Sequence, residues 1–335
     1  MGQGAFIAGL RGAVLLPEEA AFFADSQPWG FILFARNIEH PDQLRRLTDA
    51  LRASVGRAAP VLIDQEGGRV QRMGPPHWRS WMPPLEQAAR AGRRAPDSFR
   101  LRYRIIAHEL RAVGIDTNCA PCADIATPRT HPVLRNRCMG SDPATVSANA
   151  RAAAAGLLAG GVLPVLKHVP GHGRATRDSH VELPRVDAPR PELEPSDFAP
   201  FRALADLPLA MSAHVVFSAL DPQAPATTSP LMGQLIRHDI GFDGLLLSDD
   251  ISMQALSGSI AARTRAALAA GMDLVLHCNG DLDEMIALAE AAGEMSPQAC
   301  RRADAALSWR KPPDKVDIAV LEGELRALLN ERPDD

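Results

Sequence analysis

A single-domain (β/α)8 TIM barrel with extra C-terminal helices is the fold this sequence predicts, and three observations carry the prediction. Eight short apolar runs of β type recur along the 335 residues, each leading through a polar segment into an Ala/Leu/Arg-rich helical pattern. Acids and histidines gather at the C-terminal ends of those runs, where a barrel keeps its chemistry. No stretch is rich enough in Pro, Gly or Ser to read as a linker, so residues 1–335 are expected to form one domain. A doubly wound sheet would need a Gly-rich phosphate turn after its first strand, and Leu10-Arg11-Gly12-Ala13 is not one.

The apolar runs are Phe6–Leu10, Phe31–Phe34, Val61–Ile63, Ile115–Ala120, Val162–Leu166, Leu209–Ala213, Leu245–Leu247 and Leu274–Leu276. Helices are expected at 17–25, 41–54, 97–112, 143–159, 196–206, 230–238, 259–270 and 281–292. The first opens with Pro17-Glu18-Glu19, which places proline and acids where a helix N-terminus favours them. Residues 67–96 read as one long Pro/Trp/Arg-rich loop after the third strand, packed by Trp78 and Trp81. Residues 296–332 read as terminal helices on the outside or base of the barrel.

A hydrophobic content of 46% against 23% charged residues suits a soluble globular chain with a large core. The net charge of −4 gives no electrostatic reason to expect nucleic acid or an anionic membrane as partner, and a monomer is expected. The opening MGQGAFIAGLRGAVLLPEE has no basic start, and Arg11 and Pro17 break its apolar run, so it reads as neither signal peptide nor membrane span. Five dispersed cysteines, Cys119, Cys122, Cys138, Cys278 and Cys300, suggest reduced thiols and a cytoplasmic location. Cys119-Ala-Pro-Cys122 has redox or zinc-like spacing but no second CxxC to complete a metal site.

The strand ends supply the candidate site. Asp64-Gln65-Glu66 follows the third run, Asp124 the fourth, Lys167-His168 the fifth, Ser212-Ala213-His214 the sixth, Ser248-Asp249-Asp250 the seventh and His277-Cys278-Asn279 the eighth. A metal-dependent hydrolase is one reading, since His168 and His172 stand four apart. Pro170-Gly171 removes the helix that would align them, and Ile7-Ala8-Gly9-Leu10 supplies no His-x-His, so neither metal nor cofactor is expected.

Glycoside hydrolysis fits better, because it needs a carboxylate on one side of the anomeric carbon and a proton donor on the other. Asp249 ends a strongly apolar run as a candidate nucleophile, with Asp250 alternating to the opposite side. In an extended loop Asp178 and His180 face the same way, so Asp178 can fix the tautomer of a histidine that titrates near neutrality.

Three ordered motifs then identify a family. Lys167-His168-Val169-Pro170-Gly171-His172-Gly173 with Asp178-Ser179-His180, Asp64-Gln65-Glu66-Gly67-Gly68-Arg69-Val70-Gln71-Arg72, and Ser248-Asp249-Asp250-Ile251-Ser252-Met253 closely resemble the bacterial β-N-acetylglucosaminidases of glycoside hydrolase family 3, over about residues 30–279. The resemblance implies a cytoplasmic enzyme of peptidoglycan recycling. Such an enzyme removes non-reducing N-acetylglucosamine from 1,6-anhydro-N-acetylmuramic acid muropeptides with retention, through a covalent glycosyl-aspartate. It further implies Asp249 as nucleophile, His180 as acid/base and Asp178 as its partner, with Asp64, Arg72, Arg137, Lys167 and His168 holding sugar hydroxyls. Arg135, two residues before Arg137, competes for the last arginine position.

Two departures stand out: Val169 replaces the family's usual Phe, and Arg174-Ala175-Thr176 replaces an Asp-Thr start to the loop. The alternatives weighed are a β-N-acetylglucosaminide phosphorylase and a sugar-binding barrel without catalysis. A neutral histidine near the site would repel phosphate less than a carboxylate, which favours the first; the intact Asp249, Asp178 and His180 speak against the second.

Overall fold

Residues 2–177 and 182–330 are described by the computed structural model. Eight parallel strands close into a barrel in which every strand neighbours its sequence successor. They are β1 (Gly4–Ala8), β2 (Pro28–Leu33), β3 (Val61–Ile63), β4 (Thr117–Asn118), β5 (Leu163–Val169), β6 (Leu209–Ser212), β7 (Leu245–Asp250) and β8 (Leu274–His277). All eight expected runs are strands. The two that differ most at their C-terminal ends, β5 and β7, continue beyond the apolar run into Lys167-His168 and Asp249-Asp250, so the regular backbone carries the charged residues itself.

Period-two alternation sorts the strand residues into two cores. Ile7, Leu62, Val165, Met211, Leu247 and Leu276 fill the barrel interior. Phe6, Ile63, Leu166, Ala210, Leu246 and Val275 face the surrounding helices. The same parity carries on past the apolar runs: Asp64 follows Leu62, Lys167 follows Val165, and Asp249 follows Leu247. Apolar packing below thus aims these charged groups into the mouth of the barrel.

The helices follow the expected period with local differences. Pro17–Ser26, Pro41–Val55, Ala95–Arg111, Pro143–Ala159, Ile260–Ala269 and Leu282–Ala292 are regular helices. The expected helix at 196–206 is reduced to Ala199–Ala203, and that at 230–238 is Pro230–Gln234 running into a wider π turn at Leu235–Asp239. Residues 67–96 are not one loop. They hold the return strand of a hairpin (Gln65–Gly67 with Val70–Gln71) and a helix, Pro84–Ala91, which opens on a proline and buries Gln87 and Ala91. Trp81 is buried in this segment and Trp78 packs against the core, as expected.

The terminal helices take both expected places. Pro297–Ser308 lays Ala299, Ala303 and Ala306 against Leu209, Leu245 and Leu274 at the barrel base, small residues allowing close approach. Ile318–Asn330 buries Leu325 and Leu328 and packs against Ala95–Arg111 on the outside. Each such leucine contributes about 1.5–3 kcal/mol. Among the described residues no helix is long and apolar enough to cross a membrane.

Candidate active site

The barrel mouth holds a cavity of about 300 Å³ with Asp64, Arg72, Arg137, Lys167, His168 and Asp249 in its lining. Asp178 and His180, the expected acid/base pair, lie outside the described residues. The other six expected site residues are therefore brought together, from β3, β5, β7 and two connecting segments.

The β3 side is an open row of alternating charges, Arg72, Asp64, Lys167, Glu66 and Arg137. Lys167 Nζ stands 2.8 Å from Asp64 Oδ1 and 2.7 Å from Glu66 Oε1. Arg72 Nη2 donates to Asp64 Oδ2 at 3.0 Å. Arg137 grips Glu66 with two bonds, Nε to Oε2 at 2.9 Å and Nη2 to Oε1 at 2.8 Å, the paired geometry that a guanidinium offers a carboxylate. Burial by itself would favour the neutral acids and the neutral amine. The neighbouring opposite charges outweigh it. Asp64 is held well below the usual carboxylate range by Lys167 and Arg72, Glu66 is lowered to about 2 by Arg137 and Lys167, and the Lys167 ammonium is raised by Asp64 and Glu66.

Local sequence explains how this row is held. Gln65 accepts from the backbone N–H groups of Arg72 and Met73 at 3.0 Å each, folding the hairpin back so that Arg72 meets Asp64. Gly67, at φ +104°, must be glycine, since a side chain there would collide with the Arg102 guanidinium. Arg102 is fully buried, packs over the Trp81 ring and donates to the Glu66 carbonyl, so the helix Ala95–Arg111, braced by Trp81 of the segment 67–96, supports the Glu66 backbone from behind.

On β5 the register slips between Lys167 and Val169, so consecutive residues Lys167 and His168 both line the cavity. His168 Nδ1 lies 2.7 Å from Asp124 Oδ2, and Arg137 Nη2 lies 3.4 Å from Nε2. An arginine only donates, so Nε2 carries the lone pair and Nδ1–H donates to Asp124. Asp124 Oδ1 accepts the His172 backbone N–H at 2.6 Å. The His172 ring is buried beside the His168 ring, and burial together with His168 lowers its pKa to about 4. The ring stays neutral, and it is the His172 backbone N–H that ties the turn to Asp124.

Asp249 differs from the acids of that row. Among the described residues it forms no ion pair, and Oδ1 accepts only the Asp250 backbone N–H at 2.8 Å. Burial would raise its pKa, but nearby His214 and His168, the Asp250 N–H and Lys167 hold it below the usual value, so it is an anion at neutral pH. Asp250 is bound elsewhere: its carboxylate accepts from Ser252 and from the Cys278 backbone N–H at 3.1 Å. Asp250 lines the same cavity as Asp249 and is not turned to the opposite side as expected; the two acids differ in their partners.

Arg135 is exposed, whereas Arg137 lines the cavity. The histidines at the sixth and eighth strand ends are turned aside. His214 is fully buried between Thr227 Oγ1 at 2.8 Å and the Asp250 carbonyl at 2.9 Å, while His277 pairs with Glu284 at 2.9 Å. Val169 fills a buried core position, and Arg174, in place of the usual acid, bonds Asp197 at 2.6 Å at the root of the following loop. Cys119 and Cys122 do not form a pair: the first faces the barrel interior and the second a separate cluster with Cys138.

Glu66, Asp124 and Phe34 are the cavity residues and supports that motif reading left without a role. Glu66 was signalled by charge balance, because Lys167, Arg72 and Arg137 outnumber Asp64 alone. Phe34, whose ring lies 5.1 Å from the Arg72 guanidinium, had no signal in a sequence without pairwise contacts.

Comparison with known proteins agrees with this geometry. Residues 15–305 match the glycosyl hydrolase family 3 N-terminal domain. A β-hexosaminidase of Alkalilimnicola ehrlichii is 41% identical over 287 residues, 82% of this chain and 81% of that protein. One of Pseudomonas aeruginosa is 37% identical over 293 residues, 86% of each. NagZ of Neisseria gonorrhoeae, solved in complex with N-trifluoroacetyl-D-glucosamine, superposes with a TM-score of 0.84 at 30% identity, covering 98% of this chain and 96% of that one. A family 3 β-N-acetylglucosaminidase of Paenibacillus gives a TM-score of 0.86 at 27% identity, covering 97% of this chain and 67% of its own. With the barrel, the charged mouth and these relatives together, the chain belongs to glycoside hydrolase family 3 and is a β-hexosaminidase of the NagZ type.

Proposed function

We propose that this β-hexosaminidase is a retaining exo-β-N-acetylglucosaminidase acting on muropeptides, with Asp249 as nucleophile. The observation that carries the proposal is the contrast at the cavity wall: Asp64, Glu66 and Asp124 are each occupied by fixed cationic or N–H partners, whereas Asp249 is ionised without an ion pair among the described residues. A carboxylate so placed can attack an anomeric carbon and form a covalent glycosyl ester. Arg72, Arg137 and Lys167 donate and Asp64 accepts, which suits the hydroxyls of a non-reducing sugar. His168 offers a lone pair at Nε2 to a further hydroxyl. His180, oriented by Asp178, protonates the leaving oxygen and then activates water. In this reading the substrate is N-acetylglucosamine β-linked to 1,6-anhydro-N-acetylmuramic acid, processed in the cytoplasm during peptidoglycan recycling by a monomer without cofactor.

One experiment tests substrate and acid/base together: hydrolysis of aryl β-glycosides differing at C2, at C4 and in leaving-group acidity, beside a β-linked anhydromuropeptide, with and without phosphate. The native protein should prefer the 2-acetamido gluco sugar and cleave the muropeptide to free sugar whether or not phosphate is present. His180→Ala should lose least on the most acidic leaving groups, which need little protonation. Equal loss across leaving groups would remove His180 from the acid role, and a sugar-1-phosphate product would replace hydrolysis by phosphorolysis.

A further inference from the structure

Beneath the sugar pocket lies a second constellation, which shares His168 and its support Asp124 with the glycosidase reading and adds Cys122, which that reading does not use. Asp124 Oδ2 accepts from two sides, from the Cys122 thiol at 3.2 Å and from His168 Nδ1–H at 2.7 Å. One ligand atom from each of Cys122, Asp124 and His168 lies within 4.8 Å of the other two, and all three residues are buried. The support of His168 by Asp124 needs no sulfur. Cys122 adds a soft ligand to a nitrogen and an oxygen already converging on one point.

We propose that Cys122, Asp124 and His168 form a binding site for a thiophilic divalent cation of the zinc type, adjoining the sugar pocket through the His168 ring. The chemistry of the set selects the ion. Sulfur, imidazole nitrogen and a single carboxylate oxygen suit zinc or cobalt, whereas calcium and magnesium take all-oxygen shells. Three protein ligands leave a fourth position for water. The outer supports are present: Asp124 Oδ1 is fixed by the His172 N–H at 2.6 Å, and Cys122 packs against Cys138, Ala126 and Leu134. His168 lines the cavity, so the three ligands lie one imidazole ring away from the sugar pocket.

Proton accounting is simple. The Cys122 thiol, pushed up by Cys138, by burial and by Asp124, is neutral before the ion arrives, so binding releases its proton to solvent and forms the metal–sulfur bond. Metallation of His168 at Nδ1 moves the ring proton to Nε2. The nitrogen that faces Arg137 then changes from acceptor to donor, so a loaded site alters how the pocket receives a sugar hydroxyl. The ion has no step in hydrolysis.

Cobalt(II) titration of the reduced full-length protein tests this directly. A near-ultraviolet thiolate-to-cobalt absorption band saturating at one equivalent is expected. Cys122→Ser keeps a hydroxyl donor for Asp124 and should lose the band, whereas Cys138→Ser and Cys300→Ser should retain it. A native protein without the band, or a Cys122→Ser variant with it unchanged, overturns the proposal. X-ray absorption of the zinc-loaded native protein provides a reading independent of any variant's folding: one sulfur at about 2.3 Å is expected, and a shell of nitrogen and oxygen alone contradicts the site.

Discussion

The two walls of the cavity are built on opposite rules. On the β3–β5 wall every charge is answered: Lys167 by Asp64 and Glu66, Arg137 by both oxygens of Glu66, Arg72 by Asp64. On the β7 wall Asp249 has only a backbone N–H. Charges fixed to one another need not reorganise when a sugar arrives, so the first wall presents preset donors and acceptors to its hydroxyls. An ionised carboxylate without a counter-ion retains its nucleophilicity and favours the positive charge that develops at an anomeric carbon. Binding and reaction are thereby assigned to different sides of one barrel mouth by whether a carboxylate has a partner.

Breaking the unpaired side should give the largest change in turnover and the smallest in stability. Asp249→Ala is expected to lower kcat by about 10⁴-fold or more while the melting temperature changes little, because the substitution breaks no ion pair among the described residues. A variant that melts much lower would show that Asp249 is structural.

Breaking the paired side should do the reverse. Arg137→Ala leaves Glu66 buried with Lys167 as its remaining cation, and removing one partner of a buried pair costs about 3–5 kcal/mol. Urea unfolding should show that loss, with Glu66→Gln in the same chain restoring part of it. Additive losses in the double variant would mean that the two side chains are not coupled.

A smaller effect separates the walls by pH. His172 is neutral in the fold down to about 4, whereas its ordinary value is 6.5. Between those values the unfolded chain binds a proton that the folded chain refuses, so stability falls as pH drops through this window, by on the order of 2–3 kcal/mol. Asp64 and Glu66, lowered in the fold, withdraw their contribution only below the ordinary carboxylate range. His172→Gln should flatten urea midpoints between pH 6.5 and 4.5 and leave the acid collapse below that intact. An unchanged slope would put the ring in water.

The barrel was legible in the sequence because each strand is an apolar run, and position at the strand ends placed Asp64, Lys167 and Asp249 at the barrel mouth, while the parity that turns them inward is a finding of the fold. The segment 67–96 was misread as loop because prolines and arginines dominate it. The helix at Pro84–Ala91 draws its stability from burying Gln87 and Ala91, a tertiary effect invisible to local composition. Arg135 and Arg137 were indistinguishable by type and spacing, and only the turn after Pro132–Arg135 sends the second inward. Glu66 and Asp124 stood in plain view at strand ends, yet their partners are distant in sequence, 71 residues for Arg137 and 44 for His168. Pairing over such separations is a property of closure of the barrel, not of any motif.

The central claim is that the carboxylate without a counter-ion is the one that bonds to the sugar. Incubation with a slow-turnover fluorinated N-acetylglucosaminide, followed by peptide mass mapping of the rapidly quenched protein, reads this directly. The expected result is one glycosyl adduct per chain, on Asp249 and absent from Asp249→Ala. An adduct on Asp64, Glu66 or Asp250, or turnover through an intermediate that leaves no protein-bound sugar, would contradict it.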